Sequence, residues 1–155
     1  MHIYAATNED YHSWLKLARE VEHLFGPMAD EPSFQEALRR ILGAGQAFCV
    51  RMGDGAPGGD LLGGVAVDAG ENAIAWLAVA GAARGKGLGK ALMARALVAL
   101  DASRDVVVQT FAPEHPEGLP ARNLYLALGF RDHAPAEPTP AGVPTVIMVR
   151  PASRS

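Results

Sequence analysis

The chain has 155 residues, of which 49% are hydrophobic and 20% charged, with a formal net charge of −3. That length holds one domain with a proper core and not two, and the composition is that of a soluble globular protein. The weakly acidic sum gives no global reason to expect nucleic-acid binding, and a single cysteine, Cys49, excludes an internal disulfide and fits a reducing compartment.

HIYAAT (2–7) reads as a short strand. From Asn8 the pattern changes: Tyr11, Trp14, Leu15, Ala18, Val21 and Phe25 recur at three- and four-residue spacing, which predicts an amphipathic helix stopped by Gly26-Pro27. A second helix is expected from Ser33, where S-F-Q-E makes a capping-box pattern with Glu36, to Gly43. GQAFCVRM is a strand and GDGAPGGD a loop; LLGGVAV and NAIAWLAV are two more strands, joined by DAGE as a hairpin. Leu88 to Leu100 reads as a helix that is apolar on most sides and therefore largely buried.

VVVQTF (106–111) is β-branched and uninterrupted, as a central strand would be. After the loop PEHPEGLP, residues 120–128 form a short helix with Ala121, Leu124, Tyr125 and Leu128 on one stripe, closed by Gly129. Phe130 begins another strand, DHAPAEPTPAGVP reads as a proline-rich loop, and TVIMV closes the sheet. The expectation is one mixed α/β domain over 1–150, its sheet covered by helices on both faces, followed by a flexible tail at 151–155. MHIYAATNED lacks the pattern of a signal peptide, and NAIAWLAVAGAA is too short to span a membrane. A cytoplasmic protein without membrane or nucleic-acid partners follows, and homodimerisation stays open.

One stretch, WLAVAGAARGKGLGKAL (76–92), breaks an apolar run with glycines and cations before resuming as a helix. No acid falls between Glu71 and Asp101, whereas Arg84, Lys86, Lys90 and Arg95 all do. A strand turning into a helix through RGKGLG gathers unpaired backbone N–H groups, with the helix dipole behind them, and glycines let phosphate oxygens approach. The Walker pattern fails because Ala91 follows Lys90, and a G-x-G-x-x-G would need its third glycine at Lys90. What stands here is Arg-x-x-Gly-x-Gly. A plain glycine-rich β–α connection with solvated lysines is the alternative.

WLAV before that turn, KALM after it and ARNLYLALGF further on together resemble the GNAT superfamily of acetyl-CoA-dependent N-acetyltransferases, in register from about Glu71 to Phe130. The resemblance implies a mixed, largely antiparallel sheet with a splayed central strand pair. It also implies acetyl-CoA as acetyl donor and a primary amine, first of all of a small molecule, as acceptor. Acetylation of a protein N-terminus or lysine, or a non-catalytic acyl-CoA-binding module, are the other readings. Carried over by motif, Arg84, Gly85, Gly87, Leu88, Gly89 and Lys90 seat the pyrophosphate, with Lys86 near the phosphates. The backbone of Leu77 and Val79 would pair with the pantetheine arm, and Val79 N–H would face the thioester oxygen.

Tyr125, in LYLALGF, takes the place of the family's general acid for the departing thiolate, although it also fits the core stripe. Two family positions are missing: Gly118 stands where many members have an asparagine, and Ala73 where histone-modifying members have a glutamate base. Glu71 lies about 26 Å from Val79 along an extended strand, too far to substitute. Glu20, Glu22 and His23 on the first helix, and Glu114 and His115 after the fifth strand, are alternatives more in keeping with solvated surface, and the base stays unassigned. An acidic rim of Glu20, Glu22, Asp30 and Glu31 suits a cationic amine, whereas the surroundings of Trp14 and Phe25 suit an aromatic or aliphatic one. The five histidines show no metal-ligand spacing, so no metal is expected.

Overall fold

A computed structural model describes residues 2–139 and 141–153. The chain runs β1 (Tyr4–Ala5), α1 (Tyr11–Phe25), α2 (Pro32–Gly43), β2 (Ala47–Arg51), β3 (Leu61–Asp68) and β4 (Ala73–Val79), followed by α3 (Leu88–Ala99), β5 (Val106–Phe111), α4 (Leu119–Ala127), β6 (Arg131–Ala136) and β7 (Thr145–Arg150). The seven strands form one sheet in the order β1-β2-β3-β4-β5-β7-β6. The pairings are antiparallel except β4 with β5, which run parallel. This is the mixed, largely antiparallel sheet expected from the sequence.

The parallel pair is short. Only Ala73 and Ile74 of β4 pair with β5, opposite Val107 and Val108; from there to Val79 the two strands part. Asn72 holds the closed end. It is buried in a left-handed conformation (φ 53), and its side-chain amide donates to the carbonyls of Asp101 (2.9 Å) and Asp105 (3.0 Å). Asp101 N–H donates back to Asn72 Oδ1 at 2.8 Å.

Two cores flank the sheet. Trp14, Leu17, Ala18 and Val21 of α1, with Leu38 and Leu42 of α2, pack on one face; Leu88, Leu92, Met93 and Ala96 of α3, with Tyr125 of α4, pack on the other. Adjacent glycines of β3 let both layers approach. A Cβ at Gly64 would lie 2.8 Å from the Trp14 ring, and one at Gly63 would lie 3.0 Å from Leu92 Cδ1. Neither glycine needs an unusual φ; here the missing side chain is what counts.

Several local expectations give way to the structure. The opening strand shrinks to Tyr4–Ala5, and α1 is preceded by a 3-10 turn at Asn8–Asp10. No capping box forms at Ser33 and Glu36: α2 starts at Pro32, whose fixed φ and missing N–H suit a first helical position, so Ser33 falls inside the helix. The reciprocal cap is formed earlier, where Thr7 Oγ1 accepts from Glu9 N–H and Asp10 Oδ2 from Thr7 N–H.

The largest correction is the extent of the strand expected from Phe130: β6 runs over Arg131–Ala136, so residues 132–136 of the expected proline-rich loop belong to it. That strand lies at the sheet edge, where Pro135 costs little for its missing N–H. α3 is also less enclosed than its apolar sequence suggested, with Val98 79% exposed. Of the expected tail, Ala152 N–H donates to Asp105 Oδ1 and Ser153 N–H to Ala102 O, while Arg154 and Ser155 lie outside the described residues.

Candidate active site

β4 carries an irregularity that decides what its open end presents. Its register with β3 steps from Ala66 opposite Trp76 to Val67 opposite Ile74, leaving Ala75 as an extra, unpaired residue. Such a bulge reverses the alternation of side chains. Ile74 accordingly packs with α3 and α4, Trp76 with α1 and α2, and Leu77 and Val79 again with α3 and α4.

The register also fixes the backbone. Ala80 N–H donates to Leu62 O at 2.8 Å, so Ala80 belongs to a hydrogen-bonded pair of the β3–β4 ladder. Antiparallel pairs alternate, and Leu77 and Val79 occupy the intervening positions opposite Val65 and Gly63. Their N–H and C=O groups therefore point away from β3, toward the space from which β5 has departed. The Val79 carbonyl there accepts from Arg84 Nε at 3.3 Å.

Beyond β4 the chain makes a 3-10 turn at Gly81–Ala83, and α3 follows. Gly85 and Gly87 adopt φ of +77° and +81°, a region glycine enters without penalty, and Gly87 is the residue before the first helical position. Ala91 N–H to Gly87 O, 3.1 Å, is the first bond of this helix, and no side chain caps it. The amides of Leu88, Gly89 and Lys90 are thus left without helical acceptors. Arg84, Lys86 and Lys90 are exposed around them. These groups fit an anion such as pyrophosphate. Gly89 has a further reason to be glycine, since a Cβ there would meet Leu124 Cδ2 at 3.3 Å and Val79 Cγ2 at 3.9 Å.

That contact brings the end of β4, the start of α3 and the middle of α4 together. Tyr125 lies on α4 beside Leu124 and is 5% exposed, its ring 5.7 Å from that of Phe130. Burial raises the pKa of its hydroxyl above the usual tyrosine value, so the group holds its proton through neutral and mildly alkaline pH. Sequence reading missed Arg122, which is buried on the same helix and ion-paired to Asp132, with Nη1 to Oδ1 at 2.8 Å; the pair fastens α4 to β6. An arginine inside an apolar helix stripe was the only available signal.

The two departures from the family pattern have physical counterparts. A Cβ at Gly118 would fall 2.7 Å from Phe111 Cβ, so an asparagine does not fit this backbone. Ala73 sits in the closed part of β4, opposite Val107 and Asp68.

The candidate bases are distributed among other contacts. Glu20 Oε2 accepts from Gly81 N–H at 2.7 Å, Glu22 Oε2 from Met28 N–H at 2.7 Å, and His23 Nδ1 lies 2.9 Å from Glu20 O. His115 packs against Phe111, 4.6 Å between ring centroids, and its buried Nε2 lacks a hydrogen-bond partner among the described residues. Glu114 is exposed. Among the described residues no group of three or more His, Cys, Asp or Glu is placed to hold a metal ion.

Comparison with known proteins agrees with this architecture. Residues 44–132 match the family model described as an acetyltransferase (GNAT) domain. A search of curated proteins found no significant match. Among solved structures, a GNAT-family acetyltransferase from Staphylococcus aureus Mu50 superposes with a TM-score of 0.73 at 15% identity, over 98% of this chain and 99% of that one. The ribosomal-protein-S18-alanine N-acetyltransferase from Escherichia coli gives 0.72 at 16% identity, over 99% and 95%. Arabidopsis thaliana NAA60 in complex with acetyl-CoA gives 0.71 at 19%, over 96% and 97%.

Proposed function

The chain belongs to the GNAT acetyltransferases, and from that footing we propose that it transfers the acetyl group of acetyl-CoA directly to a primary amine of a small molecule. The observation that carries the reading is the splay of β4 from β5. It leaves the backbone of Leu77 and Val79 without a strand partner on that side, immediately ahead of the uncapped start of α3. An extended arm fits the first feature and a pyrophosphate the second, so one ligand accounts for both.

Acetyl-CoA supplies an activated thioester. The amides of α3, with Gly85 and Gly87 shaping the turn and Arg84, Lys86 and Lys90 around it, hold the phosphates. Leu77 and Val79 align the pantetheine arm. Val79 N–H, fixed before reaction begins, stabilises negative charge developing on the thioester oxygen. Tyr125, kept protonated by burial, gives its proton to the departing thiolate. Arg84 has a double part here, because its bond to the Val79 carbonyl also steadies the turn.

An amine panel with acetyl-CoA, scored by thiol release, tests this. Turnover on small amines is the expected result. Turnover confined to peptide N-termini or lysines would replace the acceptor class. Acetyl-CoA binding without turnover on any amine or peptide would leave an acyl-CoA-binding module instead.

A further inference from the structure

Tyr125 is carried by a helix of nine residues, α4, whose two ends are held unequally. The C-terminal end has several polar ties. Phe130 N–H donates to Tyr125 O at 3.0 Å, Arg131 Nη1 to Leu126 O at 3.0 Å, and Arg150 Nε to Leu128 O at 2.8 Å. At the other end no side chain among the described residues caps the helix, and Gly118 lies against Phe111. Apolar contact is non-directional, so it opposes rotation of a helix about its own axis only weakly.

Arg122 supplies the missing direction. It is buried and stands three residues before Tyr125, a spacing that puts both on neighbouring positions of the helix surface. Its fork donates to both carboxylate oxygens of Asp132, Nη1 to Oδ1 at 2.8 Å and Nη2 to Oδ2. Asp132 pairs across the β6–β7 ladder with the fully buried Met148, whose Sδ lies 4.0 Å from Arg122 Nη1. Opposed residues of an antiparallel pair share a face, which sets Asp132 beneath α4. Asp132 also follows Phe130 by two residues, and the Phe130 ring lies 5.7 Å from that of Tyr125. The ion pair, the ring contact and the Phe130 N–H bond to Tyr125 O therefore join the same two segments, 122–125 and 130–132.

Resting on the acetyl-transfer reading above, we propose that Arg122 is a positioning residue for Tyr125. Its bidentate pair with Asp132 fixes the rotation of α4 and so holds the Tyr125 hydroxyl where the departing thiolate takes up its proton. Exchange of a buried ion pair for apolar residues is often neutral for stability, so stability alone does not account for a charge in this stripe. A guanidinium fork accepts one orientation of a carboxylate, whereas an apolar side chain packs in many. Proton transfer needs donor and acceptor within about 2.6–3.2 Å, and a misplacement of about 1 Å costs up to about a hundredfold in rate. The length of the tyrosine side chain magnifies any rotation of its helix. Arg122 itself takes no proton in this scheme.

Arg122→Met keeps a long side chain beside Met148 and removes the fork; the freed Asp132 carboxylate, 48% exposed, is then hydrated. On the amine that turns over best in the panel above, its kcat should fall about tenfold while the acetyl-CoA KM holds. In a Tyr125→Phe background the same substitution should cost nothing further, because the hydroxyl it positions is already gone. Arg122→Lys, which keeps the charge without the fork, should fall between. A second readout needs no acceptor. The chain has three tyrosines, and with ring-13C tyrosine the Tyr125 signal is identified by its loss in Tyr125→Phe. That signal should shift or broaden in Arg122→Met while those of Tyr4 and Tyr11 hold. Asp132→Asn, which keeps one acceptor and removes the charge, serves the same purpose if Arg122→Met fails to fold.

Parental kcat in Arg122→Met would overturn the proposal. So would an equal fall in kcat with and without the Tyr125 hydroxyl, which would leave Arg122 a structural part only. Near-parental turnover in Tyr125→Phe would instead remove the proton-donor reading, and the proposal with it. If no amine turns over, the transfer reading fails, and an unmoved Tyr125 signal in Arg122→Met would then overturn the positioning role as well.

Discussion

Asn72 and Asp101 exchange two hydrogen bonds: Asn72 Nδ2 donates to Asp101 O at 2.9 Å, and Asp101 N–H donates to Asn72 Oδ1 at 2.8 Å. The exchange ties the start of β4 to the connection between α3 and β5. It fixes the closed end of the strand pair whose open end forms the proposed cofactor gap. Asn72→Asp removes the donor and sets a carboxylate against the carbonyls of Asp101 and Asp105 in a buried site. Urea denaturation should show a loss of about 3 kcal/mol or more, since an unmet buried charge costs more than an unmet neutral group. An unchanged midpoint would show that the splay is held elsewhere.

Tyr125→Phe removes a hydroxyl and keeps the ring against Phe130. Turnover should fall by about 10²–10⁴ with the acetyl-CoA KM unchanged, as expected on losing a positioned acid. Burial raises the hydroxyl pKa, so in the parent the proton remains in place well into the alkaline range. The parental kcat should therefore show no loss from this group up to about pH 10, the ordinary tyrosine value. A folded variant with near-parental turnover on its true acceptor would falsify the assignment and leave proton transfer to water.

Gly87 and Gly89 should fail differently when substituted. Gly87 has no atom within 4 Å of where a Cβ would stand, so Gly87→Asp adds a charge facing the proposed phosphate site, plus some strain from its positive φ. The variant should fold and lose acetyl-CoA binding by calorimetry. Gly89→Glu instead drives a side chain toward Leu124 and Val79 and should lower the melting temperature as well. Unchanged acetyl-CoA affinity in folded Gly87→Asp would remove the phosphate from this turn.

Acid stability should report a buried pair far from the site. Arg51 Nη2 lies 2.7 Å from Asp10 Oδ2, with both side chains almost fully enclosed, and Gly58 N–H donates to Asp10 Oδ1. Burial alone would raise the Asp10 pKa, but donation from Arg51, Thr7 and Gly58 outweighs it and holds the carboxyl below its usual value. A lowered folded pKa means the stabilisation is complete above the unfolded value, about 3.9, and is lost as pH falls through the folded one. Asp10→Asn should cost about 3–5 kcal/mol at neutral pH, because it leaves Arg51 buried without a counter-charge. The gap between the two proteins should narrow below about pH 4. A constant gap across the acid range would mean that this carboxyl does not titrate with unfolding.

Much of this molecule was legible in its sequence. Element types followed from local periodicity, because a helix stripe and a strand run each leave a repeating pattern in neighbouring residues. VVVQTF became β5 over the residues expected, Val106–Phe111. The R-G-K-G-L-G turn was also readable, since positive φ, missing side chains and helix-end amides are properties of consecutive residues.

What the tertiary structure decided depends on residues far apart in the chain. The edge position of β6, which lets Pro135 sit in a strand, is a fact about sheet order. The need for Gly118 comes from Phe111, and that for Gly89 partly from Leu124 on another helix. Ala75 reads like its neighbours in AIAWLAV, yet pairing with β3 makes it the bulge that puts Ile74 and Trp76, two residues apart, on opposite faces of the sheet. Local periodicity fixes which face of an element is apolar, and long-range packing fixes what that face meets.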